Sequence, residues 1–171
     1  MYSIEQRDEQ LLNTSASIRY HLHFGEAARH LVRIVTEIDT PGNEITLGLP
    51  VWTPGSYKVR DFSSNIGNII ITDAAGQPVG WEWLGKNRIR VVASDTALLR
   101  VEYLYYAFER TVRTSHVNRF HAFLNFSNCL MYVEGREQEI HHVALHHDRN
   151  IWPATSTALS PVGNHSETDV P

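Results

Sequence analysis

Ser17 to Phe24, Ser-Ile-Arg-Tyr-His-Leu-His-Phe, alternates apolar and polar residues with a period of two. That period puts each set of side chains on its own face of an extended strand. Leu31 to Ile38 continues the alternation, and Gly25-Glu26-Ala27-Ala28-Arg29 between them reads as the longer loop of a hairpin. Further short segments rich in β-branched and aromatic residues follow at 44–49, 69–72, 79–84, 88–92, 98–106, 120–124, 130–133 and 140–146. Thr40-Pro41-Gly42-Asn43, Asp73 to Pro78 and Gly85-Lys86-Asn87 are the turns that separate several of them. No stretch has the length and apolar spacing of a long helix, and 115–120 and 127–131 hold single helical turns at most. The pattern predicts an all-β fold, mostly antiparallel, built as a sandwich or a saddle-like sheet with few or no long helices.

A chain of 171 residues and 19.5 kDa fits one domain, and a chain of that size buries roughly 70% of the surface its unfolded form exposes. The expected organisation is a flexible N-terminal segment over 1–14, a β-rich domain over 15–152, and a linker over 153–171 rich in Ser, Thr, Pro and Gly. A net charge of -4 argues against nucleic acid as a partner, because phosphate binding needs a clustered basic face. Glu5, Arg7, Asp8 and Glu9 stand where a signal peptide needs a basic start and an apolar run. No apolar run approaches the ~20 residues of a membrane-spanning helix. The expectation is a soluble cytoplasmic domain without a membrane partner. Cys129 is the single cysteine and reads as a small buried hydrophobe.

The run Leu49-Pro50-Val51-Trp52-Thr53-Pro54-Gly55-Ser56-Tyr57-Lys58-Val59-Arg60-Asp61-Phe62 fits neither a regular helix nor a regular strand. Its prolines fix φ and remove donors while Gly55 permits a tight turn, so it reads as a shaped crossing between strands. Trp52-x-Pro54-Gly55-Ser56-Tyr57-x-x-Arg60-Asp61-Phe62 resembles a signature of the N-terminal domain of the glycyl aminopeptidase family of zinc metallopeptidases, the sixty-first metallopeptidase family. Tyr105-Tyr106-Ala107-Phe108-Glu109-Arg110-Thr111-Val112-Arg113-Thr114 is similar to a second segment of that family. His121-Ala122-Phe123-Leu124-Asn125 through Tyr132-Val133-Glu134-Gly135 looks like the stretch that follows, and the likeness runs from about Ile18 to about Trp152.

The resemblance implies a parent peptidase whose zinc is held by a His-Glu-x-x-His helix and a further glutamate, with the motif's Glu as general base. None of the ten histidines here is followed by glutamate, so the two imidazoles one helical turn apart and the base between them are not supplied by this chain. The expectation is a non-catalytic front domain that carries no cofactor of its own. Its partners are then the catalytic domain of the same polypeptide and, in the full-length protein, the peptide substrate. Tyr57, Arg60, Asp61, Glu109, Arg113 and Asn125 become candidates for the substrate-end or domain interface, and Trp52, Pro54 and Gly55 for shaping the loop. A network of Arg60, Asp61, Glu109 and Arg113 could equally serve to pin loops, since bidentate Arg-carboxylate pairs do this well.

Other constellations have plainer readings beside them. His141-His142 and His146-His147 suggest metal, yet on a strand each face receives only two imidazoles, and a polar edge strand kept from aggregating explains them as well. Trp81 with Trp83, and Tyr103 with Tyr105, share strand faces, either as an aromatic platform for sugar or peptide or as core packing. The platform belongs to the rival expectation of a free-standing carbohydrate- or peptide-binding β-sandwich. Ser56 with His116 or His121 lacks the Gly-x-Ser-x-Gly elbow of a serine nucleophile. The sequons at Asn125 and Asn164 carry no weight without a secretory signal.

Overall fold

A computed structural model describes residues 17–53, 57–94, 96–111 and 113–162. The strands are β1 (Ile18–His23), β2 (Leu31–Asp39), β3 (Glu44–Gly48), β4 (Ile66–Asp73), β5 (Trp81–Trp83), β6 (Arg88–Val92), β7 (Leu98–Tyr106), β8 (His116–Val117), β9 (Ala122–Phe123), β10 (Tyr132–Val133) and β11 (His141–His146). Helical structure among the described residues is confined to short turns, 3-10 at Ala27–Arg29 and Phe62–Asn65, and a single α-turn, α1 (Phe126–Cys129). One sheet has the order β11-β1-β2-β7-β4, a second β10-β3-β6-β5, and β8 pairs with β9 as a separate ribbon. All pairings are antiparallel except β1 with β11.

The period-two alternation of β1, β2 and β7 is what joins the sheets into a sandwich. Ile18, Tyr20 and Leu22 of β1, Ile34 and Ile38 of β2, and Val101, Tyr103 and Tyr105 of β7 point inward. They share one apolar core with Ile45 and Leu47 of β3, Ile89 and Val91 of β6, and Val133 of β10. A one-residue slip would turn each set to solvent, so burial itself sets the register. The outer face of β1 and β2 is polar, and Arg19 holds both carboxylate oxygens of Asp39 at 2.7 Å. Arg136, before β11, donates to the Asp39 carbonyl at 3.0 Å and to both oxygens of Glu139 at 2.7 and 2.8 Å. This chain of charge-assisted bonds ties the entry of the parallel edge strand to the first hairpin. Gly48 allows β10 to approach β3, since a Cβ there would come 2.6 Å from Tyr132 Cζ.

The expected hairpin of 17–24 and 31–38 forms, and the His-rich segment lies on a sheet edge. The strands expected at 79–84 and 130–133 shorten to Trp81–Trp83 and Tyr132–Val133, and three further local expectations change. The segment expected at 69–72 starts at Ile66 and is irregular between Gly67 and Ile70, where Asn68 takes φ 54°. The helical turn considered for 115–120 is instead β8 and a tight turn, because His116 pairs with Phe123. The strand expected at 120–124 shrinks to two residues for the same reason: Asn118 Oδ1 accepts the N–H groups of Phe120 and His121 and closes the turn.

Candidate functional site at the C-terminal end of the seventh strand

The distinctive motifs meet around the last residues of β7. Tyr103 and Tyr105 are both buried there, and a buried hydroxyl needs a partner. Tyr103 donates to the Cys129 carbonyl at 2.7 Å and accepts the Met131 N–H at 3.2 Å, while Tyr20 donates to the Met131 carbonyl at 2.9 Å. Two core tyrosines thereby satisfy the backbone just after α1 and seat that segment on the sheet. Burial pushes the Tyr105 hydroxyl up to about 12, against the opposing influence of the Asn65 and Ser115 side chains beside it. Asn65 ends the turn that follows the first motif, and Ser115 directly follows the second.

Ser115 Oγ also accepts the Asn125 N–H at 3.1 Å, which brings in the third motif segment. Asn125 caps α1, its Oδ1 accepting from the Ser127 N–H at 3.2 Å and the Ser127 hydroxyl at 2.7 Å. The Asn128 amide donates to the Arg113 carbonyl, and Thr114 Oγ1 donates to the Glu109 carbonyl at 3.1 Å. The 109–115 loop is thus held by its backbone, and the side chains of Glu109 and Arg113 are left exposed.

The first-motif residues are arranged in the same manner. The Arg60 N–H donates to the Val51 carbonyl at 2.7 Å, closing the loop across its base. Tyr57 is fully exposed, Trp52 and Asp61 are exposed, and Arg60 is half-buried. Pro54 and Gly55, the two residues expected to shape the loop beside Trp52, lie outside the described residues, as does Ser56. Among the described residues no ion pair joins Arg60, Asp61, Glu109 and Arg113. Among the described residues these four side chains therefore form no Arg-carboxylate pinning network. Asp61 instead accepts the Ser63 hydroxyl at 2.9 Å, and backbone and hydroxyl contacts hold both loops.

His116 and His121, weighed from sequence only as partners of Ser56, instead join His30 and Arg110 in a cluster that borders these loops. His30 donates through Nδ1 to the Val117 carbonyl at 2.6 Å, since a carbonyl can only accept. The Arg110 Nε–H donates to His116 Nε2 at 3.2 Å, so the neutral ring carries its proton on Nδ1 and gives it to His121 Nε2, 3.2 Å away. Burial and then the Arg110 charge lower the His116 pKa, favouring that neutral form. Phe108 lies over His30 with ring centroids 4.3 Å apart and pairs across a bridge with His116. These contacts arise from the pairing of 108 with 116, which no local spacing announces.

Between β1 and β11, His21 Nδ1 and His146 Nε2 are 3.1 Å apart and His146 stacks on His23 at 4.3 Å. No group of three or more His, Cys, Asp or Glu among the described residues could hold a metal ion, so a zinc-peptidase centre does not fit these residues. No helix among them is long and apolar enough to cross a membrane.

The family model of the Peptidase M61 N-terminal domain matches residues 19–170. The chain belongs to the M61 peptidase family. It corresponds to the N-terminal domain of such proteins. A solved structure of an aminopeptidase N family protein from Idiomarina loihiensis is similar, with a TM-score of 0.69 and 28% identity. That similarity covers 75% of this chain and 22% of the Idiomarina chain, so this M61 domain spans about a fifth of its neighbour's length. No curated protein matches the chain. The Peptidase M61 N-terminal match spans all three motif segments that meet at the end of β7.

Proposed function

We propose that this domain is the non-catalytic front part of a zinc-dependent, glycyl aminopeptidase-like enzyme. There it packs on the catalytic domain and borders the part of the substrate cleft that receives the peptide's N-terminal end. The observation that carries the reading is that Ile66, shortly after the first motif, pairs with Tyr105 of the second, and Ser115, at the second motif's end, bonds Asn125 of the third, with Tyr57, Glu109 and Arg113 left facing outward. A scaffold needs the inner contacts alone. In this reading Tyr57, Arg60, Asp61, Glu109, Arg113 and Asn125 lie along the shared cleft, zinc resides in the catalytic domain, and the protein works in the cytoplasm. Replacing Arg60 with Ala in the full-length protein should lower turnover of an amino-acid anilide far more than it lowers the melting temperature. Equal losses of both would leave a scaffold and nothing more. The isolated chain should show no zinc-dependent hydrolysis, and measurable turnover would overturn the assignment of chemistry to the downstream domain.

One observation favours a second reading, a sheet-borne carbohydrate or peptide platform: Trp83 is 44% exposed beside Trp81. The two indoles meet edge to face at 78°, however, which offers no flat surface for a sugar ring. Quenching of tryptophan fluorescence by soluble glycans, lost in Trp83→Ala, would promote that reading over the first.

A further inference from the structure

Beyond the outward-facing loop residues, one end of the sandwich exposes an aromatic surface that the fold itself does not use. Phe108 pairs with His116 across a bridge, and His116 pairs with Phe123, so the three side chains line one face of a small ribbon. His116 is buried between its neighbours, while Phe108 and Phe123 are 54% and 51% exposed. Tyr106, two residues before Phe108, is 45% exposed, and Phe120 on the β8–β9 turn is 70% exposed. Isolated exposed apolar residues are ordinary, but Phe108 and Phe123 paired through His116, with Tyr106 6.1 Å from Phe108 between ring centroids and Phe120 exposed on the turn that joins β8 to β9, mark an interaction surface.

Two further observations say what covers it. First, the chain leaves the core beside this ribbon: the Trp152 indole N–H donates to the Arg119 carbonyl at 3.2 Å, on the same turn as Phe120. Residue 153, the first of an exposed run that reaches residue 162, therefore starts next to the aromatic face. Second, two arginines stand at its rim, with Glu109 the exposed carboxylate next to Phe108, although the chain carries a net charge of -4. Arg110 and Arg119 are both exposed there, Arg110 bonded to His116 and Arg119 lying over the Phe120 ring at 4.6 Å.

We propose that the Tyr106, Phe108, Phe120 and Phe123 surface is the seat of the domain that follows in the same polypeptide, which meets it with an apolar patch edged by carboxylates. The inference rests on the accessory-domain reading and deepens it by naming the interface. Aromatic anchors with a charged rim are the composition that carries most binding energy in such contacts.

Hydroxyl-radical footprinting of the full-length polypeptide and of the isolated 171-residue chain tests it. Oxidation of Phe108, Phe120 and Phe123 is expected to fall at least fivefold in the long form, with Trp83 unchanged as an internal control. In the full-length protein Phe108→Glu should restore oxidation of Phe120 and Phe123 to the isolated-chain rate, while the variant isolated chain keeps its melting temperature. Protection of Tyr57 and Val59 without protection of the aromatic ribbon would overturn this interface and leave the accessory-domain reading standing. No protection anywhere on the N-terminal domain would overturn both. Concentration-dependent protection in the isolated chain, abolished by Phe108→Glu, would assign the surface to a second copy and so also overturn the proposal.

Discussion

Tyr103-x-Tyr105 and Trp81-x-Trp83 have the same spacing, yet they lead opposite lives in this fold. β7 lies between β2 and β4, and its two tyrosines are wholly buried with the core of both sheets closing over them. β5 is the edge of the smaller sheet, so Trp81 packs partly on the core and Trp83 remains 44% exposed. Period-two spacing tells which residues share a face, but sheet order tells whether anything covers that face. The tyrosines also carry polar work that the tryptophans do not, because Tyr103 satisfies the backbone at both Cys129 and Met131.

The comparison can be broken most directly by truncation. Tyr103→Ala should destabilise the domain by about 3–5 kcal/mol in urea unfolding, as expected for removing a large buried ring. Trp83→Ala should cost less than about 1 kcal/mol because its ring remains half in solvent. Comparable losses at the two positions would mean that β5 is covered as well as β7. Tyr103→Phe separates polar from apolar roles: it keeps the ring and strands the Cys129 carbonyl, for an expected cost of about 1–3 kcal/mol.

A smaller effect sharpens the same contrast at a distance. Cys129 is buried in the segment that Tyr103 holds, and burial pushes its thiol up to about 12. The thiolate is the reactive form, so native protein should react with a disulfide reagent only as it opens. Tyr103→Phe should speed that reaction roughly tenfold for each 1.4 kcal/mol lost, since opening sets the rate. Trp83→Ala should leave it almost unchanged; a large acceleration there would contradict the edge-strand assignment.

The smallest expected effect is on the polar outer face. His23 is held down to about 4, first by desolvation and then by the neighbouring His146, Arg33 and His21. A histidine in the unfolded chain titrates near 6.5. Between these values the unfolded chain binds more protons, so stability should fall as pH drops from about 6.5 toward 4. Partial exposure reduces the amplitude. His23→Gln should flatten the slope of stability against pH in that window, and an unchanged slope would remove His23 from the account. At lower pH, Arg19 and Arg136 hold the Asp39 and Glu139 carboxyls below their ordinary values, Glu139 to about 2. Their stabilisation is fully present above the usual carboxylate range and is lost as pH falls from that range through their lowered native values.

Much of the fold could be read locally. The alternation of 17–24, 31–38 and 98–106 contained the buried faces of β1, β2 and β7, and the Pro- and Gly-rich run from Leu49 announced a shaped crossing between strands. The motif segments were also legible as unusual residue combinations, and the Peptidase M61 N-terminal match spans them. Their convergence was not legible, because Asn65, Ser115 and Asn125 meet through Tyr105 and a hydroxyl bond between residues far apart in the chain. Among the described residues Arg60, Asp61, Glu109 and Arg113 form no pinning network, because backbone and hydroxyl bonds already hold both loops.

Residue order along the chain is thus sufficient for strand periodicity, turn chemistry and family membership, because each depends on neighbours within a few positions. The parallel pairing of β11 with β1, the burial of Tyr105 against the exposure of Trp83, and the ribbon that aligns Phe108, His116 and Phe123 required the assembled sheets. Contacts of that kind join segments whose closure depends on the free energy of the whole core, and no local pattern encodes which distant partner will be chosen.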